Sequence, residues 1–538
     1  MKRGFAFVLA VLLLAGAGSP GSAAEGRKNA FTIPHTLRIG DTQDFDSLNP
    51  HLATAITLGN LSQLTMAYLV RYGPDNRPVP ELATVVPTEA NGGIGKDGRT
   101  ITWHLREGVK WSDGAPFDPD DVVFSTNAVN NPANNEVGRD GWDLITKIDE
   151  PNKHTVVFHL KKPYSGYLPT FFGSAGANPC ILPKHILGNL PNINNAPYNS
   201  KPVGIGPFRY TEWVRADHVT LEANPYYWRG QPKIKKVIYK IIPDRNTLLT
   251  QLETGEVDLW AYVPPAYAGR AMALKTTGHV REPGAVYQHL DFNTTRPALR
   301  ERAVRAALRL ALDRPEMVRK INHGVGIVQE SPISPAIPIS SEIPFVGYDV
   351  AKANKLLDDA GWKRGPDGIR AKNGVRLNLE WASTTGSPDA DSRIELIRSM
   401  WKQIGVAFDL KHYNPALFFQ LRGGIVYDGK FDVTAFGWQM TPDGDLNPFN
   451  SCALMPPNGQ NVTRLCDKRL EGLLQQQKST YDEEKRKAIA AQAVRIIDEE
   501  VPYVVLYIQE SVHVYNDDLT GWHPNSQTPF DDFLNVDI

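Results

Sequence analysis

The chain has 538 residues, 41% of them hydrophobic, with 58 basic and 59 acidic side chains and a formal net charge of −1. This near balance gives no electrostatic reason to bind nucleic acid or an anionic membrane surface. Single hydrophobic cores stop growing at about 250–300 residues, so two or more lobes are expected.

Met1, Lys2 and Arg3 precede an apolar run over 5–17, then Gly18, Ser19, Pro20 and Gly21, then Ser22, Ala23 and Ala24. A positive start, a short apolar core and a small-residue exit predict a secretory signal peptide over 1–24. A membrane anchor or a buried N-terminal helix is the competing reading, and a bilayer span takes about 20 apolar residues. No Cys stands near the cleavage point to accept a lipid. The mature chain is therefore expected to begin near Glu25, free of a membrane anchor, and to be periplasmic. Removing Lys2 and Arg3 leaves 56 basic against 59 acidic residues, a net charge of −3. No later run is long enough to span; the longest strongly apolar stretch, 501–508, contains Pro502.

Residues 99–105 alternate, with Ile101, Trp103 and Leu105 on one face, and predict a half-buried strand. Asp118 then caps a helix that Pro119 opens and Asp120 and Asp121 support at its positive end. A strand is expected over 237–242, a helix over 244–254 closed by Gly255, and a strand over 257–259. Amphipathic helices follow over 300–312, 349–360 and 392–404. A long helix is expected over 481–500, with Thr480 and Glu483 as a capping box and Pro502 as its stop. Strands and helices mixed at this rhythm predict α/β lobes.

Reactive constellations are sparse. There is no GxSxG elbow, HExxH pair or GxxxxGK[ST] loop. Ser399 and Lys402 match SxxK, but they sit within a helix and lack the partner motifs. The 13 His are scattered without metal-ligand spacing, and His104 and His159 alternate with apolar strand neighbours. No catalytic residue, metal site or cofactor is assigned. The cysteines are Cys180, Cys452 and Cys466. Export permits a disulfide; a Cys452–Cys466 bridge would staple the polar loop between them, leaving Cys180 buried as a small apolar residue.

Four blocks carry a resemblance: LRIGDTQDFDSLNPHLA near the start; WHLREGVKWSDGAPFDPDDVVFS over 103–125; PVGIGPFRYTEW with LEANPYYWRGQPKIKKVIYKIIPD and LETGEVDL over 202–259; and LDFNTTRPALRERAVRAALRLALDRPEMV over 290–318. YDVAKANKLLDDAGW and FDVTAFGW continue the match. Together they resemble the extracellular solute-binding proteins of family 5, the dipeptide- and oligopeptide-binding components of ABC importers. In physical terms Gly108 and Gly114 serve as turn residues, Gly204 and Gly206 allow close backbone approach, and the aromatics of NPYYW read as lobe core.

The resemblance implies a two-lobed α/β periplasmic-binding-protein fold of type II, with an extra subdomain in the first lobe. Lobe I would comprise 25–290 and 510–538, including the subdomain at about 78–200, and lobe II would comprise 291–509. Strands over 287–293 and 506–514 would cross between them and permit closure. The implied function is capture of a peptide for an ABC permease by a monomeric binding protein that is not an enzyme. A sugar oligomer, a nickel chelate or an opine-like amine is the alternative ligand; an exported peptide hydrolase, or a chaperone-like or signalling role, would be a different class of function.

The loop FGWQMTPDGDLNPFNSC, 436–452, is the expected ligand site. Relatives that bind peptides carry an Asp after the GW pair that holds the ligand's ammonium; here Asp443 and Asp445 are the candidates. Trp438, Gln439, Asn450 and Asn293 complete the expected ligand set, with Phe449 as an apolar wall. Dipeptide binders clamp the ligand carboxylate with an Arg where this chain has Thr384. Arg393 and Arg398 are nearby on a helix, so longer peptides, or ligands without a free carboxylate, fit better than dipeptides. Relatives also place a disulfide after this loop, which implies Cys452–Cys466 bonded and Cys180 free.

Overall fold

The computed structural model describes residues 29–538 except 54, 137, 140 and 175–178; the signal peptide expected over 1–24 lies outside the described residues. A ten-stranded sheet organises the chain. Its members in chain order are β1 (Thr36–Asp41), β2 (Phe208–Val214), β3 (His218–Ala223), β4 (Lys236–Ile241), β5 (Leu259–Trp260), β6 (Thr277–Phe292), β7 (Asn378–Thr384), β8 (Ala407–Tyr413), β9 (Val433–Gln439) and β10 (Tyr503–Asn516). They lie side by side as β8-β7-β9-β6-β10-β5-β1-β4-β3-β2.

The centre of that order explains the two-lobed plan. β6 and β10 are the longest strands and form an antiparallel ladder from Thr277↔Asn516 to Asp291↔Tyr503. At one end β10 passes the sheet on to β5; at the other, β6 passes it on to β9. The ladder shifts register between Pro283 and Tyr287, and such a bulge bends the strand and raises its twist. At that point a Cβ on Gly284 would lie 2.5 Å from the Gln509 carbonyl oxygen, so only glycine lets the strands cross this closely.

Separate cores flank the crossing. One gathers Leu37, Ile39, Leu58 and Leu61 with Val237 and Leu259. A second gathers Leu290, Phe292, Leu308, Trp381 and Trp401. A third surrounds a three-stranded sheet of Thr100–His104, Ile145–Asn152 and Thr155–Leu160, with Trp103, Trp142 and Phe158 at its centre.

Local chemistry sets most of the elements where the sequence predicts them. The helix Pro119–Asn130 starts on a complete capping box between Asp118 and Asp121. Arg245–Glu253 begins at Asp244, whose side chain accepts from the Thr247 N–H. Val109, Trp111 and Phe117 are buried while Gly108 and Gly114 take positive φ, so REGVKWSDGAPF is a packed turn. A Cβ on Gly204 would sit 2.0 Å from the Thr65 carbonyl oxygen, which accounts for the glycine there.

Three expectations are corrected. The capping box at Thr480 and Glu483 does not form: Lys468–Ser479 is a helix of its own, and the Thr480 hydroxyl donates back to the Gln476 carbonyl. The following helix, Glu483–Glu500, is capped by Asp482, which accepts from the Lys485 N–H. A nearer Asp is available at the right spacing, and it wins. The helix expected over 392–404 is Pro388–Lys402, begun a turn earlier by its proline. In NPYYW, Tyr227 is core but Tyr226 is exposed and packs over Gly114.

Cys452 and Cys466 are joined as a disulfide, and Cys180 is free and buried. Peptide mapping of the exported protein without reductant should therefore recover the 452–466 bridge and a single free thiol. Three free thiols would contradict this pairing.

Candidate functional site

A cavity of about 210 Å³ opens where the long strands cross. One wall is the helix α1 (Ile56–Thr65), which contributes Asn60 and Gln63. Gly284 to Val286 and Gln509 form the floor, Gln439 stands opposite, and Tyr262, Ser526 and Gln527 close the side. The lining carries no charge and is mostly apolar surface interrupted by side-chain amides and hydroxyls. Asn60 and Gln63 place side-chain amides in that lining, groups able to meet a polar ligand atom. The α1 sequence ITLGNLSQLT places these amides on a helix whose other residues, Leu58, Leu61 and Leu64, anchor it in a core.

β9 presents a usable edge to this cavity. The Met440 N–H donates to the Ala285 carbonyl at 2.9 Å, and Gln439 pairs with Val286. Backbone groups alternate sides along a strand. Trp438 and Phe436 therefore turn theirs toward β6, while Gly437 and Gln439 turn theirs away from it. On that outer side the ladder to β7 covers Val433 and Thr434. Gly437 and Gln439 are exposed.

The expected ligand residues are distributed unevenly around this geometry. Gln439 lines the cavity. Trp438 stacks on Phe449 with ring centroids 4.7 Å apart, and on His289 at 6.1 Å, on the other face of the sheet from Gln439. The Asn293 amide donates to the Gly429 and Phe431 carbonyls, tying its turn to the segment before β9, and the Asn450 amide donates to the Leu446 carbonyl of its own loop. The Asp445 carboxylate accepts from the backbone and side-chain amides of Asn447 at 2.9 and 2.8 Å. Burial, and next the charge of Asp443, push its pKa up.

Asp443 is placed differently. It faces a second, smaller crevice of about 60 Å³ beside Tyr72, Ser165 and Pro338. Its Oδ2 lies 3.4 Å from Arg486 Nη2, and its Oδ1 is buried without a hydrogen-bond partner. This crevice lies at a contact between distant parts of the chain: the Tyr481 hydroxyl donates to the Gly98 carbonyl at 2.6 Å, and Arg77 pairs with Glu483 at 2.8 Å. Thr384 ends β7. The cavity residues Asn60, Gln63, Tyr262 and Gln527 escaped the sequence reading. Only the α1 pattern of amides among leucines hinted at them, since the cavity forms by apposition of segments hundreds of residues apart.

Two α/β bodies sharing one sheet through a pair of bulged strands, with an uncharged cavity at the crossing, define a two-lobed solute-binding protein. The model for bacterial extracellular solute-binding proteins, family 5 middle, matches residues 77–457. The oligopeptide-binding protein AppA of Bacillus subtilis is 26% identical over 530 residues, covering 96% of this chain and 95% of that one. The dipeptide-binding protein of Escherichia coli is 25% identical over 438 residues, 77% of this chain and 78% of that one. The crystal structure of NikZ from Campylobacter jejuni, in complex with Ni(L-His), superposes with a TM-score of 0.73 at 26% identity, covering 93% of this chain and 98% of that one. The chain belongs to the bacterial extracellular solute-binding proteins of family 5. No described helix is long and apolar enough to cross a membrane.

Proposed function

We propose that this protein is exported through its first 24 residues, stays free of a lipid anchor in the periplasm, and as a monomer captures a peptide for an ABC permease. It acts by binding and release. Residues 25–290 with 510–538 form one lobe, carrying the subdomain at about 78–200, and 291–509 form the other.

The observation that carries the peptide reading is the outward edge of β9. Gly437 and Gln439 offer backbone groups to an added strand beside an uncharged cavity. Strand addition gives affinity through main-chain hydrogen bonds and tolerates varied side chains. The curated relatives AppA and the dipeptide-binding protein are named for peptides, which supports the same assignment. Of the two candidate acids, Asp443 fits a ligand ammonium better than Asp445. Its Oδ1 is buried and free, whereas Asp445 is held by Asn447. A charge-assisted hydrogen bond in a dry crevice is worth far more than in water. Asp443→Asn should weaken binding at least about tenfold, equal to roughly 1.4 kcal/mol, with Asp445→Asn the smaller effect on affinity.

Native mass spectrometry of freshly purified protein tests the ligand class. A retained mass that fragments as a peptide supports the proposal; an intact nickel chelate or sugar replaces it, and cleaved peptide products point to a hydrolase. Small-angle scattering at saturating ligand should give a smaller radius of gyration than the free protein, because a ligand touching both lobes favours the closed state.

A further inference from the structure

We propose that Tyr481 is a clasp that holds the two bodies of this protein together without touching the ligand, and that by keeping the closed form populated it scales the affinity for every ligand alike. This rests on the reading that 78–200 and 291–509 belong to bodies that move relative to each other.

Tyr481 stands at the corner between the helices Lys468–Ser479 and Glu483–Glu500. Leu470, Leu474, Ala490, Val494 and Ile497 of those helices are buried in one core with Ile333, Met440 and Leu446. The corner is thus fixed to the second body. Its aromatic ring leaves that body and packs against the core of the three-stranded subdomain. Tyr167 meets it edge-on, with ring centroids 5.7 Å apart. The hydroxyl is used twice: it donates to the Gly98 carbonyl at 2.6 Å and accepts from the Tyr164 N–H at 2.9 Å.

The socket is shaped for this ring. Gly98 has φ +66°, a conformation that favours glycine. A Cβ there would also lie 2.9 Å from Tyr481 Cε2 and 3.1 Å from Pro163. A second contact joins the same two parts. Ser165 donates its N–H to the Lys478 carbonyl and its hydroxyl to the Gln477 carbonyl, both at 2.9 Å. These carbonyls lie in the last turn of Lys468–Ser479, where a helix end leaves such groups short of partners. The subdomain therefore caps a helix of the other body. Arg77 and Glu483 add a pair at 2.8 Å, but both are exposed, and exposed pairs contribute little.

A contact of this kind exists only while the two bodies are together. The cavity at the strand crossing is lined elsewhere, by α1, Gly284 to Val286 and Gln439. Opening about β6 and β10 would draw Tyr481 out of its socket, expose the ring and give up both hydrogen bonds of the hydroxyl. The clasp accordingly lowers the free energy of the closed form whether or not the cavity is filled. An apparent dissociation constant is the intrinsic one divided by the binding-competent fraction. Losing the clasp should then weaken unrelated ligands by one common factor, whereas losing a ligand contact discriminates among them.

Spin labels on Lys153→Cys and Lys402→Cys, exposed positions in the subdomain and in the second body, report the distance between the two. The purified protein is first freed of bound solutes by dialysis through dilute urea. With Tyr481 intact, the ligand-free protein should show a short and a long distance. Tyr481→Ala should shift the ratio about tenfold toward the long one. Tyr481→Phe, which keeps the ring and removes both hydrogen bonds, should fall between. Tri-, tetra- and penta-alanine should each bind Tyr481→Ala more weakly, by the same factor of up to about ten. The ligand-free Tm shows that each variant is folded, and Tyr481→Phe decides the question if Tyr481→Ala does not fold. Identical ligand-free distances with and without the substitution overturn the clasp; peptides that still shorten the distance in both proteins leave the two-body reading standing. One fixed distance in every sample overturns both. If no oligoalanine binds, the peptide reading loses support by itself, and the ligand-free distances alone decide the clasp.

Discussion

Between pH 6.5 and 10 the protein should lose several kcal/mol of stability that His51→Gln does not lose. His51 is fully buried. Its Nδ1 meets Glu136 Oε2 at 2.6 Å and its Nε2 meets the Cys180 carbonyl at 2.8 Å. Both partners are acceptors, so both ring nitrogens must carry protons, and the ring is an imidazolium. Burial works against that charge, but side-chain interactions with Cys180 and Glu136, hydrogen bonds and charge together, outweigh it and push the pKa up to about 10. An unfolded His titrates near 6.5. The folded pKa is thus the higher one, and the stabilisation is fully present below pH 6.5 and lost as pH rises through about 10. At roughly 1.4 kcal/mol per unit, the swing is on the order of 3–5 kcal/mol. His51→Gln cannot supply the charge and gives up the charge-assisted bond to Glu136, which lowers stability at neutral pH. Urea unfolding of both proteins at pH 6, 8 and 10 checks this. Parallel stability curves would show that His51 is neutral in the folded state.

Gln439→Pro should reduce peptide affinity by about 10- to 100-fold while barely moving the ligand-free Tm. The Gln439 N–H turns away from β6, so proline there removes a donor that no described strand uses. Proline is tolerated in strands at such outward edge positions. A ligand strand would lose that hydrogen bond and, through the ring, the close approach that its neighbours need. One to two lost bonds at about 1.5 kcal/mol each amount to roughly 10- to 100-fold. Gln439→Ala is the matched control, since it keeps the N–H and removes only the side chain. Calorimetry giving equal affinities for wild type and Gln439→Pro would place the ligand off the β9 edge. Loss in both variants would make the side-chain amide the contact.

Whatever rests on near neighbours is legible in the chain alone. Asp118 with Asp121, and Asp244 with Thr247, specify helix starts within one turn. Gly204 and Gly206 mark a close backbone approach, and the glycines of REGVKWSDGAPF mark its turns. The motif blocks fixed the family over most of the chain, which the match at 77–457 bears out. Where two local signals competed, as Thr480 and Asp482 did, the spacing alone could not choose.

The site was decided elsewhere. Asp443 and Asp445 are equivalent in a Gly- and Pro-rich loop until folding brings Arg486 to one and leaves Asn447 with the other. Asn293 and Asn450 look like loop ligands but satisfy carbonyls of their own surroundings. Arg393 looks like one more charge on an amphipathic helix. It meets Gln288 only because β7, β9 and β6 stack in that order, an arrangement of strands about a hundred residues apart. Side-chain direction along a strand is periodic and readable, but which strand lies alongside, and therefore which partner a side chain meets, depends on long-range pairing that short-range chemistry does not encode.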